Sequence, residues 1–288
     1  MKLLITGSNG QLGNEFKVLA PLFPGFQFVF TDIEELDICD ERALEAMIVS
    51  EKPEAIINCA AYTAVDKAEQ EPEKAFRINA TAPGKLAEAA LHHNLILIHI
   101  STDYVFGGKT FRPYTEDDNK EPVSVYARSK DAGEEAVRGS KTKALIIRTS
   151  WLYSEFGNNF VKTILKYGRE RGKLNVVFDQ IGCPTYAYDL ALVILTLLQS
   201  GNQAEGTTVY HYANEGVASW YDFAKAIVEF SGIDCTLHAI ETRDYPLPAA
   251  RPWYSVLNKA KIRETFGVEI PYWRDSLKTC LQKMGEII

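Results

Sequence analysis

The sequence lacks any long apolar stretch, and this bears on two classes of protein. No run approaches the roughly 20 consecutive apolar residues that a helix needs to cross a bilayer. The chain opens with an apolar segment, but Gly7 interrupts it too early for the apolar core of a signal peptide. We therefore expect a cytoplasmic protein with no membrane partner.

Cysteine is scarce and scattered. The 288 residues include five cysteines, and none forms a Cys-x-x-Cys pair (Cys39, Cys59, Cys183, Cys235, Cys280). An odd number without such pairs argues against a disulfide framework or a zinc site and fits a reducing compartment. We expect these cysteines to be buried small hydrophobic side chains.

Positive charge is also in deficit. The sum of 31 Lys and Arg against 38 Asp and Glu gives a net charge of −7, which argues against a nucleic-acid partner. A local site can still hold an anionic ligand against this overall charge. With 46% hydrophobic and 24% charged residues, the composition fits one large α/β unit or two unequal domains.

Short apolar runs alternate with helical patterns in the first half of the chain. The predicted strands are 2–6, 26–31, 55–58, 95–100 and 144–149, and the predicted helices include 40–50 and 73–92. Strands this rich in Ile, Leu and Val are typical of a sheet buried on both faces, which is usually parallel. The alternation predicts an α/β fold with a doubly wound, Rossmann-like parallel sheet.

The pattern becomes less regular after residue 149. Helices are predicted at 158–171 and 187–198, a strand at 174–178, and a late strand at 208–212 that returns to the main sheet. Three prolines predict an irregular segment at 241–258. We expect a first domain of residues 1–150, joined by 187–215, and a smaller, partly interleaved α/β lobe of 151–186 and 216–288.

A glycine-rich turn follows the first strand. Gly7, Gly10 and Gly13 stand between that strand and a helical pattern. Such a turn lets the backbone approach a pyrophosphate, and the N–H groups at the helix start face its charge. The spacing departs from the common G-x-G-x-x-G pattern, and turns collect glycine for other reasons. The position between strand and helix nevertheless predicts a dinucleotide site.

Acidic and small residues follow the next two strands. Asp32 stands 19 positions after Gly13, where a carboxylate can accept hydrogen bonds from a ribose; a solvated turn residue is the alternative. Its charge would repel a 2′-phosphate and by itself favours NADH over NADPH. Ala60 and Ala61 leave space for a ligand, although close helix–sheet packing would also explain them.

Hydroxyl groups and a Tyr-x-x-x-Lys pair form the predicted reacting centre. Thr102 follows the fourth predicted strand, and Tyr126 and Lys130 share one face if their segment is helical. A phenol has a pKa near 10, and a nearby ammonium lowers it towards the working pH. Any helix can show this pair by chance. Together with the glycine turn, it predicts an oxidoreductase that transfers a hydride, with Thr102 bonded to the substrate oxygen.

The order of motifs resembles the extended short-chain dehydrogenase/reductases, and more narrowly the dTDP-4-dehydrorhamnose reductase family. The resemblance covers nearly the whole chain. Its most specific segments are NCAAYTAVDKAE at 58–69, STDYVF at 101–106, RTSW at 148–151, GNNF at 157–160, DQIGCPT at 179–185 and ARP at 250–252.

The resemblance implies reduction of the C4 ketone of dTDP-4-dehydro-6-deoxy-L-mannose to dTDP-L-rhamnose with NADPH or NADH. Tyr126 would donate the proton, and Lys130 would tune Tyr126 and hold the cofactor ribose. Thr102 and Asp103 would contact the sugar, and Trp151 would pack on it unless it is a plain core aromatic. The implied cofactor contacts are Gly10, Gln11, Leu12, Asp32, Asp37, Ile38, Ala60, Ala61, Tyr62 and Ile100.

Several points stay open at this stage. Arg251 is either a diphosphate ligand or a surface cation. Relatives often use NADPH, but no Arg or Lys occurs within 8–14 to hold a 2′-phosphate, so we expect use of both cofactors. Gly107 and Ala127 replace an acidic residue and a glycine that are usual in the family. Magnesium is associated with relatives, although no ligand cluster supports it here, and a homodimer remains an option.

Two rival functions remain for this sequence. A nucleotide-sugar epimerase or dehydratase would share the fold and the Tyr/Lys pair. A non-catalytic regulatory subunit of a methionine-adenosyl transferase would belong to the same group of relatives. The DQIGCPT and ARP segments favour the reductase over the first, and retention of Tyr126, Lys130 and Thr102 argues against the second.

Overall fold

The computed structural model describes residues 1–201 and 206–287. Residues 202–205, within the predicted segment 187–215, and residue 288, the last of the predicted segment 216–288, lie outside the described residues. In chain order the elements are β1 (Lys2–Thr6), α1 (Gln11–Leu19), β2 (Gln27–Phe30), α2 (Glu41–Glu51), β3 (Ala55–Asn58), α3 (Val65–Ala68), α4 (Pro72–Phe76), α5 (Ala82–His92), β4 (Ile96–Thr102), α6 (Val125–Gly139), β5 (Ala144–Thr149), β6 (Leu152–Tyr153), α7 (Phe160–Arg171), β7 (Lys173–Val177), β8 (Ile181–Gly182), β9 (Thr185–Tyr186), α8 (Ala187–Gln199), β10 (Thr207–His211), β11 (Ala218–Ser219), α9 (Trp220–Ser231), β12 (Thr236–Ile240), α10 (Ala260–Phe266) and α11 (Trp273–Lys283).

The main sheet is parallel and has the strand order β2-β1-β3-β4-β5-β10. The predicted doubly wound α/β fold is therefore confirmed, and so is the return of a late strand, which pairs with β5. The chain runs from β1 to β2 on one side and to β3, β4 and β5 on the other. This reversal opens a crevice at the carboxyl ends of β1 and β3, where ligands bind in such folds.

Alternation of side chains along the strands builds a core on each face of this sheet. Leu3 and Ile5 pack with Phe16 of α1 on one face, whereas Leu4 packs with Leu86 of α5 on the other. All five side chains are fully buried. Each such burial stabilises the fold by about 1.5–3 kcal/mol.

A smaller lobe has its own core. Strands β7 and β12 pair in parallel, and α7 and α9 pack against them through Val161, Phe223 and Ile227. The predicted strand at 174–178 is confirmed within one residue, but its partner β12 was not predicted. The segment 241–258 is irregular as expected, apart from one 3-10 turn at Thr242–Asp244.

One predicted helix contains an irregular turn. The segment 73–92 forms α4 and α5, joined by a π-helical turn at Arg77–Thr81. Pro83 has no N–H to donate to the carbonyl of Asn79, four residues earlier, and its ring would clash with that carbonyl in a regular α-helix. A π-turn relieves this conflict, and such turns are frequent at functional sites.

The cysteine prediction holds only in part. All five thiols are free; Cys183 and Cys280 are buried, whereas Cys39, Cys59 and Cys235 are partly exposed. Two of the partly exposed thiols, Cys39 and Cys59, line a cavity described below, which explains why they are not fully enclosed. None of the helices in the described residues is long and apolar enough to cross a membrane.

Candidate active site

The glycine turn brings the ends of β1 and β3 into close contact. Gly7 has a φ of +64°, and a Cβ there would lie 2.6 Å from the Cα of Ala60. A Cβ on Gly13 would lie 2.4 Å from the Cα of Ser8. The Gly7 backbone must therefore stay left-handed and bare. Helix α1 begins directly after Gly10, so its first unpaired N–H groups face this turn.

A cavity of about 830 Å³, here called the turn cavity, opens beside the glycine turn. Seven of the predicted cofactor residues line it: Gly7, Gly10, Asp32, Asp37, Ile38, Ala60 and Ala61. The bare turn, the helix start and this cavity together fit the diphosphate and adenosine of a dinucleotide.

Other predicted cofactor residues do not line the turn cavity. Gln11 turns towards the smaller lobe, where its side chain accepts a hydrogen bond from Asn159 at 2.9 Å. Leu12 is buried in the core beneath α1. Tyr62 hydrogen-bonds Glu71 at 2.7 Å, and Ile100 belongs to the reacting centre. Gln11 and Leu12 can therefore reach a ligand of the turn cavity only through their backbone N–H groups. Tyr62 and Ile100 can contact only a part of the ligand that extends beyond the cavity.

The carboxylate of Asp32 is held at the mouth of the turn cavity. It accepts the backbone N–H groups of Asn9 and Ile33, both at 2.8 Å. The side chain of Asn9 in turn accepts a hydrogen bond from the ammonium of Lys17 at 2.9 Å. Arg77 also lines the cavity and contacts Asp37 at 3.2 Å. The structure therefore brings cations from other parts of the chain to a site where residues 8–14 supply none.

Lys130 and Tyr126 contact the carboxyl end of β4 at two points, the Ile100 carbonyl and the Thr102 hydroxyl. Helix α6 carries Tyr126 and Lys130 one turn apart, and its N-cap Ser124 accepts the N–H of Ala127 at 3.2 Å. The buried ammonium of Lys130 donates to the carbonyl oxygen of Ile100 at 2.6 Å. The hydroxyl of Thr102, two residues further along β4, hydrogen-bonds the phenol of Tyr126, and this contact lowers the pKa of the phenol.

The net pKa of Tyr126 differs from the expectation. Burial raises it to about 12, the negative charge of Asp103 acts in the same direction, and only Thr102 opposes them. The expected net lowering of this pKa is therefore wrong for the protein by itself, because burial outweighs the contact that favours the phenolate. Burial also lowers the pKa of Lys130 to about 8, against the attraction of Glu134. Near neutral pH, Tyr126 thus keeps the proton that a donor must carry.

Asp103 lies beneath the reacting centre. Its Oδ1 accepts the Thr102 hydroxyl at 3.1 Å, and its Oδ2 has no hydrogen-bond partner within the part of the chain that the structure describes. Burial raises the pKa of this carboxyl to about 7, although contacts with Ser255 and Thr102 lower it in part. An unpaired buried oxygen next to the phenol is available to a polar ligand.

The smaller lobe contains a second cavity of about 1060 Å³, here called the lobe cavity. Arg251 lines it, and its guanidinium forms a two-pronged contact with Asp66 of α3 at 3.1 and 2.7 Å. Trp151 stands two residues after the end of β5 and stacks on Trp220 of the lobe. Trp151 and Arg251, two of the four residues that the sequence assigned to the substrate, thus each link the lobe to another part of the chain.

No metal site accompanies these groups. Across residues 1–201 and 206–287, no three His, Cys, Asp or Glu side chains are grouped so that they could hold a metal ion.

Comparisons with known proteins agree with this architecture. The model of the RmlD substrate binding domain matches residues 1–286. A dTDP-4-dehydrorhamnose reductase from Aggregatibacter actinomycetemcomitans is 41% identical over 285 residues, covering 96% of this chain and 97% of the relative. A crystal structure of such a reductase from Clostridium acetobutylicum has a TM-score of 0.93 at 41% identity, covering 99% of this chain and 100% of its own.

The chain belongs to the dTDP-4-dehydrorhamnose reductase family. A further member, from Bacillus anthracis, was crystallised in complex with NADP; it has a TM-score of 0.92 at 37% identity and covers 98% of this chain and 99% of its own.

The structure offers an explanation for one departure from the family pattern. A Cβ on Gly107 would lie 2.8 Å from a carboxylate oxygen of Glu121. An acidic group from another part of the chain therefore stands beside the position where reductases of this family usually carry their own. The second departure, Ala127, is fully buried in α6.

Asn79 is a site residue that the sequence analysis missed. It lies in the π-turn and is fully buried. Its side chain accepts the N–H of Tyr62 at 2.8 Å and donates to the Tyr62 carbonyl and to the Ser129 hydroxyl, both at 3.0 Å. It thus joins the loop after β3 to the helix of Tyr126 and Lys130. The sequence signal that could have located Asn79 is Pro83, because a proline four residues later predicts an irregular turn at this position.

Proposed function

We propose that this chain reduces the C4 ketone of dTDP-4-dehydro-6-deoxy-L-mannose to dTDP-L-rhamnose, with NADPH or NADH as the reductant. The observation that carries the proposal is that Lys130 contacts Ile100 and Tyr126 contacts Thr102, both at the carboxyl end of β4 in the sheet that carries the glycine turn.

The cofactor lies along the glycine turn in this proposal. The first N–H groups of α1, from Gln11, Leu12 and Gly13, hold its diphosphate. Asp32, Asp37 and Ile38, which line the turn cavity, would hold the adenosine. The small residues Gly7, Gly10, Ala60 and Ala61 leave space for the cofactor to approach the backbone. The nicotinamide half would be bordered by Tyr62, Ile100, Tyr126 and Lys130.

Both cofactor types are accepted in this proposal because opposite charges meet beside the ribose. Asp32 disfavours a 2′-phosphate, whereas Lys17, held on Asn9 beside it, attracts one. The NADP complex of the Bacillus anthracis relative supports the use of NADPH.

The reaction needs a proton at the substrate oxygen, and Tyr126 supplies it. When bound, the reduced nicotinamide provides the hydride. The Thr102 hydroxyl holds the carbonyl oxygen in line with the phenol of Tyr126. The phenol then releases its proton to that oxygen as negative charge develops on it. The positive charge of Lys130, anchored on the Ile100 carbonyl, favours the phenolate that remains.

The sugar nucleotide spans the two lobes. The lobe cavity is large enough for a nucleoside diphosphate. Arg251 at its edge would reach the diphosphate with the guanidinium N–H groups that Asp66 and Ala249 do not occupy. Asp103 offers its unpaired Oδ2 to a sugar hydroxyl, and Trp151 packs on the sugar ring. We assign 1–150 with 187–215 to cofactor binding and 151–186 with 216–288 to substrate binding. The free cysteines suit a reducing compartment, so we place the enzyme in the cytoplasm.

The test is a direct absorbance assay of the purified protein with NADPH and the dTDP-keto sugar. Loss of the near-ultraviolet absorbance of the reduced nicotinamide should match the formation of dTDP-L-rhamnose, identified by NMR. An epimerase or dehydratase would convert a sugar nucleotide without net consumption of NADPH. A regulatory subunit would do neither, and either result would contradict the proposal.

A further inference from the structure

The segment Asp179-Gln180-Ile181-Gly182 has no role in the reaction proposed above, although it touches both Trp151 and the lobe cavity. Strand β8, at the end of this segment, pairs antiparallel with β11, and Trp220 follows β11 directly. The two strands therefore form a short ribbon that carries Gly182 on one strand and leads into Trp220 on the other.

The backbone of Trp151 adopts an unfavourable conformation. Its φ is +46°, in the left-handed region that side-chain-bearing residues rarely occupy. The flanking residues fix it there: the Ser150 hydroxyl donates to the Cys183 carbonyl at 2.6 Å, and Leu152 begins β6, which pairs with β9. Strain of this kind persists where the surroundings over-determine the conformation, and it is concentrated at functional sites.

The indole of Trp151 is enclosed by the ribbon. A Cβ on Gly182 would lie 2.7 Å from the Trp151 ring, so any larger residue there would displace the ring. The Trp151 and Trp220 rings are stacked, with centroids 3.6 Å apart and planes 8° from parallel. Trp220 thus fixes the direction of an indole whose backbone is already strained.

A chain of hydrogen bonds holds Trp220 in turn. Its Nε1–H donates to Gln180 at 3.2 Å, and the Gln180 amide donates to the Thr242 hydroxyl at 3.0 Å. Thr242 donates its hydroxyl and its backbone N–H to Asp179, at 2.7 and 3.0 Å. Gln180, Trp220 and Thr242 all line the lobe cavity. These hydrogen bonds therefore connect the wall of the lobe cavity to the stacked indoles.

We propose that Trp220, held by Gln180 and stacked on the Trp151 ring that Gly182 accommodates, is a positioning residue that presents Trp151 to the sugar ring of the substrate. This inference rests on the proposed function, in which Trp151 packs on the sugar. Trp220 acts through Trp151 and makes no contribution to holding the dinucleotide. Its removal impairs recognition of the sugar more than recognition of the nucleotide.

The experiment compares Trp220→Leu and Trp220→Phe with the wild type, using Trp253→Phe as a matched control. The chain has only four tryptophans, and Trp253 is 53% exposed and belongs to no stacked pair in the described part of the chain. Two stacked indoles couple their electronic transitions and give a pair of bands of opposite sign in far-ultraviolet circular dichroism. That pair should disappear in both Trp220 variants and persist in Trp253→Phe.

The kinetic readout separates positioning from a general structural role. We expect Trp220→Leu to lower kcat/KM for the dTDP-keto sugar roughly ten- to hundredfold, as small misplacements of a substrate do. Trp220→Phe keeps an aromatic face and should recover part of this loss. The affinity for NADPH should stay at the wild-type value. The affinity for dTDP alone should fall by less than kcat/KM does, because Trp220 also lines the lobe cavity.

Three results would overturn the inference: unchanged kcat/KM in Trp220→Leu, a loss of dTDP affinity equal to the loss in kcat/KM, or a parallel loss of NADPH binding. Failure of the proposed function is a separate outcome, because a wild type that does not oxidise NADPH with this substrate would still show the paired bands.

Discussion

Glu134 offers a quantitative test of how the reacting helix is held. It lies one turn after Lys130 and is fully buried with its partner Arg148, at 0% and 1% side-chain exposure. Its carboxylate accepts from the Ser101 hydroxyl at 2.5 Å and from Arg148 Nε and an Nη at 2.9 and 2.7 Å. Burial by itself would raise the pKa of Glu134, but the contacts with Arg148 outweigh it and lower the pKa.

The substitution Glu134→Gln leaves the Arg148 charge buried without its counter-charge. Breaking a buried pair in this way costs about 3–5 kcal/mol of unfolding free energy. For a chain of this size, a change of 1 kcal/mol shifts Tm by roughly 2 °C, so the loss amounts to about 6–10 °C. Urea titration and thermal unfolding measure it. The matched control is Glu135→Gln, next to it but 61% exposed. Its partner Lys120 keeps Asp131 and Glu134 as further partners in that variant.

The control should lose less than about 1 kcal/mol because exposed ion pairs contribute little. Equal stability of the two variants would refute the reasoning. A second readout concerns catalysis: Glu134 raises the pKa of Lys130, which burial lowers to about 8. Without Glu134, the Lys130 pKa falls further, so the alkaline decline of kcat/KM should begin at lower pH. An unchanged pH profile would mean that Glu134 serves stability alone.

Three further predictions follow from the site. Tyr126→Phe should lower kcat by about 10²–10⁴ with unchanged cofactor affinity, because only the proton donor is removed; fluorescence titration and steady-state kinetics check this, and normal turnover would reject the assignment. Asp32→Ala should raise the ratio of kcat/KM with NADPH to that with NADH, because a charge beside the ribose is lost; an unaltered ratio would count against its role. Burial and contact with Glu155 raise the Glu15 pKa to about 8, so the folded state binds more protons than the unfolded state and stability falls as pH rises from 4.5 to 8. Glu15→Gln should flatten this decline in a series of thermal unfolding curves, and an identical slope in the variant would contradict it.

The sequence was most informative where strands are buried on both faces. Strands β1, β3 and β5 begin and end at the predicted residues because their apolar runs are continuous and bounded by polar residues. Strand β4 instead extends through Ser101 and Thr102, beyond its predicted end at residue 100. Polar residues could continue the strand because Glu134 and Asp103 supply partners for their hydroxyls, and these partners come from tertiary contacts.

The candidate site was predicted as a set of residues but not as an electrostatic environment. Tyr126 and Lys130 were found from their spacing, whereas the direction of the Tyr126 pKa shift depends on burial and on Asp103, which only the fold brings together. Likewise, Arg148 and Glu134 meet because β5 pairs with β4 in a register that sets Arg148 beside Ser101. No local pattern encodes such a register. The left-handed backbone of Trp151 and its stack on Trp220 could not be predicted either, because they also depend on tertiary contacts.

The anchor of Lys130 is a main-chain carbonyl, that of Ile100. Every amino acid carries this oxygen, so residue 100 can change without removing the acceptor, provided that the strand keeps its path. The ammonium is therefore protected against point substitution at its own contact. The contact would instead be lost through substitutions that shift the backbone of β4, such as a proline in a neighbouring strand. Variation at residue 100 among related chains should accordingly leave the chemistry intact, even though this residue accepts the hydrogen bond of the lysine.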